Sequence, residues 1–240
     1  TNGKWTTATT MRSIFEAAGY FCDFFSSPHI ESWTERFVFE SKEISEEDLF
    51  ELLSEVSRVN GQKPITIFEF LTSAFYFYCD KKSKSEIICA EHGLFQKYDS
   101  VASIGDHLMN VTCPISLDHL DWLPEGKKTI DQIIIEKTSQ IKSSNIVVSE
   151  QIDNTIMEKI KHSLKDNPAK KIFFSSDYTY EINKDGFLYK DKFGYLQLPK
   201  PNFPGNHMIA NTACAVAAVR NLKKYNIKDK HIIEGIKSIK

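Results

Sequence analysis

The sequence predicts an α/β domain, a mostly parallel sheet flanked by helices, with a small antiparallel meander near 178–198. Three observations carry this reading. Short apolar runs alternate with segments of helical periodicity, and such alternation builds parallel strands covered on both faces. Helix-capping residues stand at the starts of the periodic segments. Three short alternating runs near 178–198 are joined by tight-turn sequences, the mark of hairpins rather than crossovers.

In chain order, residues 6–19 (TTATTMRSIFEAAG) have apolar positions at helical spacing and stop at Gly19. FCDFF (21–25) reads as a buried strand and ERFVFES as a second extended piece. Ser45 caps a helix to about Val59, with acids on its positive dipole end, and Thr66 caps another to about Cys79. EIICAE (86–91) and MNVTCPISL (109–117) are strands, Thr129 opens a helix to about Ile141, and NIVVSE is a further strand. Gln151 to Leu164 is amphipathic, and KIFFSS is another strand. YTYEI, GFLYK and GYLQL form the meander, read as an insertion within the domain. Helices near 206–224 and 229–238 close the chain.

Composition narrows the function class. A net charge of -2 gives no footprint for nucleic acid. No apolar run approaches the roughly 20 residues that cross a bilayer. The five scattered cysteines form no CxxC pair, which fits a reducing, cytoplasmic compartment and neither a disulfide framework nor a zinc site.

Ligands of parallel sheets bind beyond the carboxyl ends of the strands. The polar residues after each strand are therefore the candidates: Ser26-Ser27-Pro28-His29, Glu91-His92-Gly93 and Asp118-His119. Lys4, in Thr1-Asn2-Gly3-Lys4 at a helix start, reads either as a phosphate ligand on a positive dipole end or as a solvated lysine. Glu91 suits a magnesium ion carried by a nucleotide, and equally a surface glutamate at a strand end. His119 alone is as well explained by a structural role. Glu136-Lys137 reads as a solvated ion-pair face, and Asn206 as a helix N-cap ahead of Asn211. No Ser, Cys and His spacing points to a nucleophilic triad.

Taken in order, these pieces resemble the dihydrofolate synthase/folylpolyglutamate synthase family, within the Mur-type amide ligases. The family's GTNGKGS is matched by TNGKWT, its TSPHL and ERI by Ser26-Ser27-Pro28-His29-Ile30 and Glu35-Arg36-Phe37, and its ISEEEL by Ile44 to Leu49. TxFExLT is matched by Thr66 to Thr72, SIGLDHxDxLG by Pro114 to Pro124, EKAGIIK by Glu136 to Lys142, and GxHQxxNAAxAxAA by Gly205 onward.

The resemblance implies a P-loop NTPase-like fold, with residues 1–240 as one ATP-binding central domain. It also implies a strand before Thr1 and a second domain after Lys240, neither of them in this sequence. The implied activity is ATP- and Mg2+-dependent addition of L-glutamate to dihydropteroate or folate through an acyl phosphate, by a monomer. Asn2, Gly3, Lys4 and Thr6 would hold the nucleotide phosphates and Asn211 would face the adenine. Ser27, Glu91 and His119 would bind magnesium, and Lys137 matches a lysine that family members carbamylate, which with His119 would serve the chemistry.

The sequence also departs from the family. Trp5 replaces a glycine, and an indole there is expected to crowd the phosphates. The glycine pair of EVGLGGRLDATN is Phe95-Gln96, Thr138-Ser139 follows Lys137, and Met208 follows His207. These changes keep a second reading open beside the ligase: a degenerate, non-catalytic or binding-only domain of the same family.

Overall fold

The computed structural model describes residues 2–239. The expectations that include Thr1 and Lys240, the full TNGK stretch and the 1–240 span, lie partly outside it.

Helix α1 (Lys4–Ala17) starts at Gly3 and buries Met11, Ile14 and Phe15. Strand β1 (Cys22–Phe25) follows, buried at all four positions. It pairs antiparallel with β2 (Phe37–Phe39), which pairs in turn with the two-residue β3 (Lys42–Glu43). Helix α2 (Glu46–Asn60) starts where Ser45 accepts the Asp48 N–H, and α3 (Ile67–Lys81) starts on a capping box. In that box Glu69 N–H donates to Thr66 Oγ1 at 3.2 Å and Thr66 N–H donates to Glu69 Oε2 at 2.7 Å. Such a cap contributes about 1 kcal/mol.

Strand β4 (Ile87–Ala90) runs parallel to β1. Strand β5 (Asn110–Thr112) opens a second ladder, followed by α4 (Ile130–Thr138), β6 (Asn145–Val148), α5 (Asn154–Ser163) and β7 (Lys170–Phe173). The order β5-β6-β7 is parallel throughout. The meander is β8 (Tyr178–Asn183), β9 (Gly186–Asp191) and β10 (Gly194–Leu198), antiparallel as expected. Helices α6 (Asn206–Asn221) and α7 (Asp229–Ser238) end the chain.

The α/β expectation therefore holds, with the parallel strands divided between two ladders. Several elements are shorter than expected, and two of them show why. The strand anticipated over 109–117 ends at Thr112, because Pro114 has no N–H and Ile115 N–H donates instead to Gln151 Oε1 at 2.9 Å. The helix opened by Thr129 ends at Thr138, whose hydroxyl donates back to the Ile134 carbonyl.

Three apolar clusters hold these layers together. The largest joins α1, α6 and α7 to β1, β4 and the meander, the second packs α4 and α5 on β6 and β7, and the third packs α2 and α3 on β1 and β2. Helix α6 passes through the centre, with Ala213 to Ala218 fully buried. Its small side chains let neighbours approach closely. Gly235 of α7 serves the same end, since a methyl there would lie 2.6 Å from Ile14 Cα of α1.

Strands β4 and β5 each end their ladder. Both line one cavity of about 490 Å³, together with Thr7, Met11 and Phe15 of α1. Among the described residues, no helix is long and apolar enough to cross a membrane.

Candidate active site

The ends of β1 and β4, the segment after β5 and the N-terminus of α1 meet at one edge of the sheets. The two strand ends are tied together: Glu91 N–H donates to the Phe25 carbonyl at 2.8 Å, and Ser27 N–H donates to Glu91 Oε2 at 3.2 Å. Glu91 is 5% exposed, and its Oε1 lies 3.6 Å from Lys4 Nζ. Burial pushes the Glu91 carboxyl up, while Lys4 and the Ser27 N–H work against that rise. Lys4 thus stands at the start of α1, where the helix dipole is positive, facing the buried Glu91 carboxylate.

A second group lies beside the first. Asn2 Nδ2 donates to Asp118 Oδ2 at 2.7 Å and to Ser116 Oγ at 3.2 Å, so the start of the chain is held on the segment after β5. Asp118 Oδ1 is 3.6 Å from Lys137 Nζ, and His119 Nε2 is 3.8 Å from Asp118 Oδ2. Lys137, in the last turn of α4, also donates to the Leu94 carbonyl at 3.1 Å. Burial lowers the Lys137 ammonium's pKa and Asp118 opposes that. Burial likewise lowers His119 against the pull of Asp118. Phe95 borders both, its ring 5.5 Å from Lys137 Nζ and edge-on to His119 at 5.9 Å.

The structure thus brings Ser27, Glu91 and Lys4 into one contact set, and Asn2, His119 and Lys137 into another around Asp118. Asp118 was legible only as a residue after a strand; its central place depends on Asn2, far away in sequence. Gly3 has φ +82°, and a methyl on it would lie 2.3 Å from Asn211 Oδ1. Asn211 itself is 4% exposed, packed beneath this turn. The Thr6 hydroxyl meets Met208 Sδ at 3.6 Å. Trp5, expected to crowd the phosphates, packs edge-to-face on Phe203 at 5.7 Å.

Two atoms in this site are buried without a hydrogen-bond partner: Asp118 Oδ1 and His119 Nε2. Asp118 Oδ1 faces the Lys137 ammonium at 3.6 Å without a hydrogen bond, and both atoms could take up a cation or a donor brought by a ligand. Among the described residues, no three His, Cys, Asp or Glu side chains gather closely enough to hold a metal by themselves. A nucleotide-borne magnesium does not need such a cage, since it takes one or two carboxylates along with phosphate and water oxygens.

Parallel strands whose carboxyl ends lie beside a helix N-terminus bearing Gly3-Lys4 define an α/β domain with an anion-ready site at its strand ends. No family model matches the chain. It is 30% identical, over 99% of its length, to the dihydrofolate synthase/folylpolyglutamate synthase of Escherichia coli strain K12, of which it covers 54%. It is 26% identical to the enzyme of the same name from Bacillus subtilis strain 168, over 95% of the chain and 54% of that protein. The solved structure of E. coli FolC in complex with DHPP and ADP superposes with a TM-score of 0.84 at 29% identity, over 99% of this chain and 55% of that one. The Yersinia pestis bifunctional enzyme complexed with AMPPNP and Mn ion gives 0.82 at 27% identity, over 99% and 55%. The chain is thus similar, along nearly its whole length, to proteins of the dihydrofolate synthase/folylpolyglutamate synthase family, and it spans about half the length of the curated relatives it matches.

Proposed function

We propose that this chain is the nucleotide-binding domain of a ligase that uses ATP and magnesium to join L-glutamate to a dihydropteroate or folate carboxyl. Residues 1–240 form that single domain, with the meander as an insertion. The observation that carries the reading is the Lys4–Glu91 contact at the start of α1, set beside the orphaned Asp118 and His119 atoms. The ligands named for the solved relatives, ADP with DHPP and AMPPNP with Mn ion, support it.

The residues divide the work by charge. Lys4 leaves Glu91 to meet phosphate oxygens, joined by the backbone N–H groups around Gly3. Glu91, freed from Lys4, holds the cation with Ser27 and His119. When bound, magnesium neutralises phosphate charge and polarises the group being transferred. Asn2 fixes Asp118, and Asp118 orients Lys137 toward the same opening. Asn211 supports the Gly3 turn.

Calorimetry of the full chain with Mg-ATP tests this reading. Lys4→Met is expected to weaken binding roughly tenfold to a hundredfold, the worth of a hydrogen bond to a charged group. No heat at millimolar Mg-ATP, from protein that is folded by circular dichroism, overturns it. One observation favours the binding-only alternative: the Lys137 ammonium is already satisfied by Leu94, Asp118 and the Phe95 ring. Mg-ATP binding without ADP release in the presence of dihydropteroate and glutamate would select that alternative.

A further inference from the structure

Three contacts zip the N-terminus of α1 to that of α6: Gly3 against Asn211, Thr6 against Met208, and Trp5 against Phe203. Asn211 and Met208 lie on α6, and Phe203 lies in the segment just before it. Neither ring is consumed by the core. Trp5 is 42% exposed and Phe203 is half-buried. Lys4 and Trp5, adjacent in sequence, send their side chains different ways: Lys4 to Glu91 and the indole to Phe203.

We propose that Trp5 and Phe203 form a base-recognition ledge, on which the planar base of a bound nucleotide stacks while its phosphates lie at Lys4. This rests on the nucleotide reading given above. The physical case is one of preorganisation. An edge-to-face aromatic pair holds the indole in one orientation before any ligand arrives, and its exposed surface is apolar and flat. A base on that surface removes exposed aromatic area from water, and every nucleobase has a π-face to offer. The tryptophan that breaks the glycine pattern of the loop thereby becomes a specificity determinant rather than an obstruction.

Two probes separate the ledge from the phosphate site: Mg-ATP, and magnesium tripolyphosphate, which has no base. Wild-type protein is expected to bind Mg-ATP at least about fivefold more tightly than tripolyphosphate, and Trp5→Ala to weaken Mg-ATP roughly fivefold to a hundredfold, the usual range for a lost stacking partner. Tripolyphosphate binding should be unchanged in Trp5→Ala, and Trp5→Phe should recover most of the loss. Phe203→Ala, which leaves the loop backbone alone, should reproduce the effect in part. Equal binding of both probes by wild type, or tighter Mg-ATP binding by Trp5→Ala, overturns the ledge and leaves the phosphate site standing. Binding of neither probe by folded wild-type protein overturns the nucleotide reading and the ledge with it.

Discussion

Replacing Gly3 by alanine should destabilise the protein by about 2–5 kcal/mol, from two separable costs. The backbone at Gly3 has φ +82° and ψ 10°, a left-handed geometry that costs an L-residue roughly 1–2 kcal/mol. The added methyl would also lie 2.3 Å from Asn211 Oδ1 and 2.4 Å from Nδ2. Asn211 is 4% exposed and has little room to swing away, so overpacking adds about 1–3 kcal/mol. Asn211→Ala removes the second cost and leaves the first. The Gly3→Ala/Asn211→Ala cycle should therefore return a coupling of about 1–3 kcal/mol, read from urea unfolding of the four proteins by circular dichroism. A Gly3→Ala protein within about 0.5 kcal/mol of wild type, or strictly additive substitutions, would refute this account of the turn.

Three further outcomes follow from packing and charge. Gly235→Ala pushes a methyl to 2.6 Å from Ile14 Cα, against backbone that cannot rotate away, so thermal melts should show a net loss of about 1–3 kcal/mol despite the better helix propensity of alanine. Arg220 donates through Nε to Asp191 at 2.9 Å, where the carboxylate side chain is 3% exposed; Arg220→Ala should cost about 3–5 kcal/mol in urea unfolding, and Arg220→Ala/Asp191→Ala less. The pH dependence turns on His92, whose Nδ1 is buried without a partner and whose pKa burial pushes down to about 4. Between about pH 6.5 and 4 the unfolded chain binds the extra proton, so stability falls as pH falls through that window, by at most about 3 kcal/mol, and this group contributes no slope above it. His92→Gln should flatten this part of the stability–pH curve, and an unchanged slope would assign it to other groups.

What was legible in the sequence was local. Ser45, Thr66 and Thr129 cap the helices they were expected to cap, because a cap is decided within four residues. The meander was legible because each of its turns joins neighbouring strands. The shortened β5 was not, since the Gln151 side chain that captures Ile115 N–H is 36 residues away. The site divides in the same way. Glu91 was singled out as a residue directly after a strand and Lys4 as one at a helix start, and both stand there; His119 was singled out as following a strand that in the structure ends at Thr112. The pairing of Asn2 with Asp118 spans 116 residues and has no local signal. Nor does the packing of Asn211 under Gly3, or the contact of Trp5 with Phe203. Phe95 was visible as a substituted glycine, but its contact with both Lys137 and His119 depends on the fold.

The edges of the two main ladders bear on solubility. The outer edges carry charge: β3 is no more than Lys42 and Glu43, both exposed, and β7 begins with Lys170 and Lys171. Charge and brevity discourage foreign strands from pairing there. The inward edges, β4 and β5, carry no charged residue; they line a shared cavity together with Thr7, Met11 and Phe15 of α1. Helix α1 is thus a barrier to misassociation as well as a core element. Substitutions that loosen α1, such as those at Gly3 or Gly235, should lower the concentration at which the protein begins to aggregate as well as its melting point.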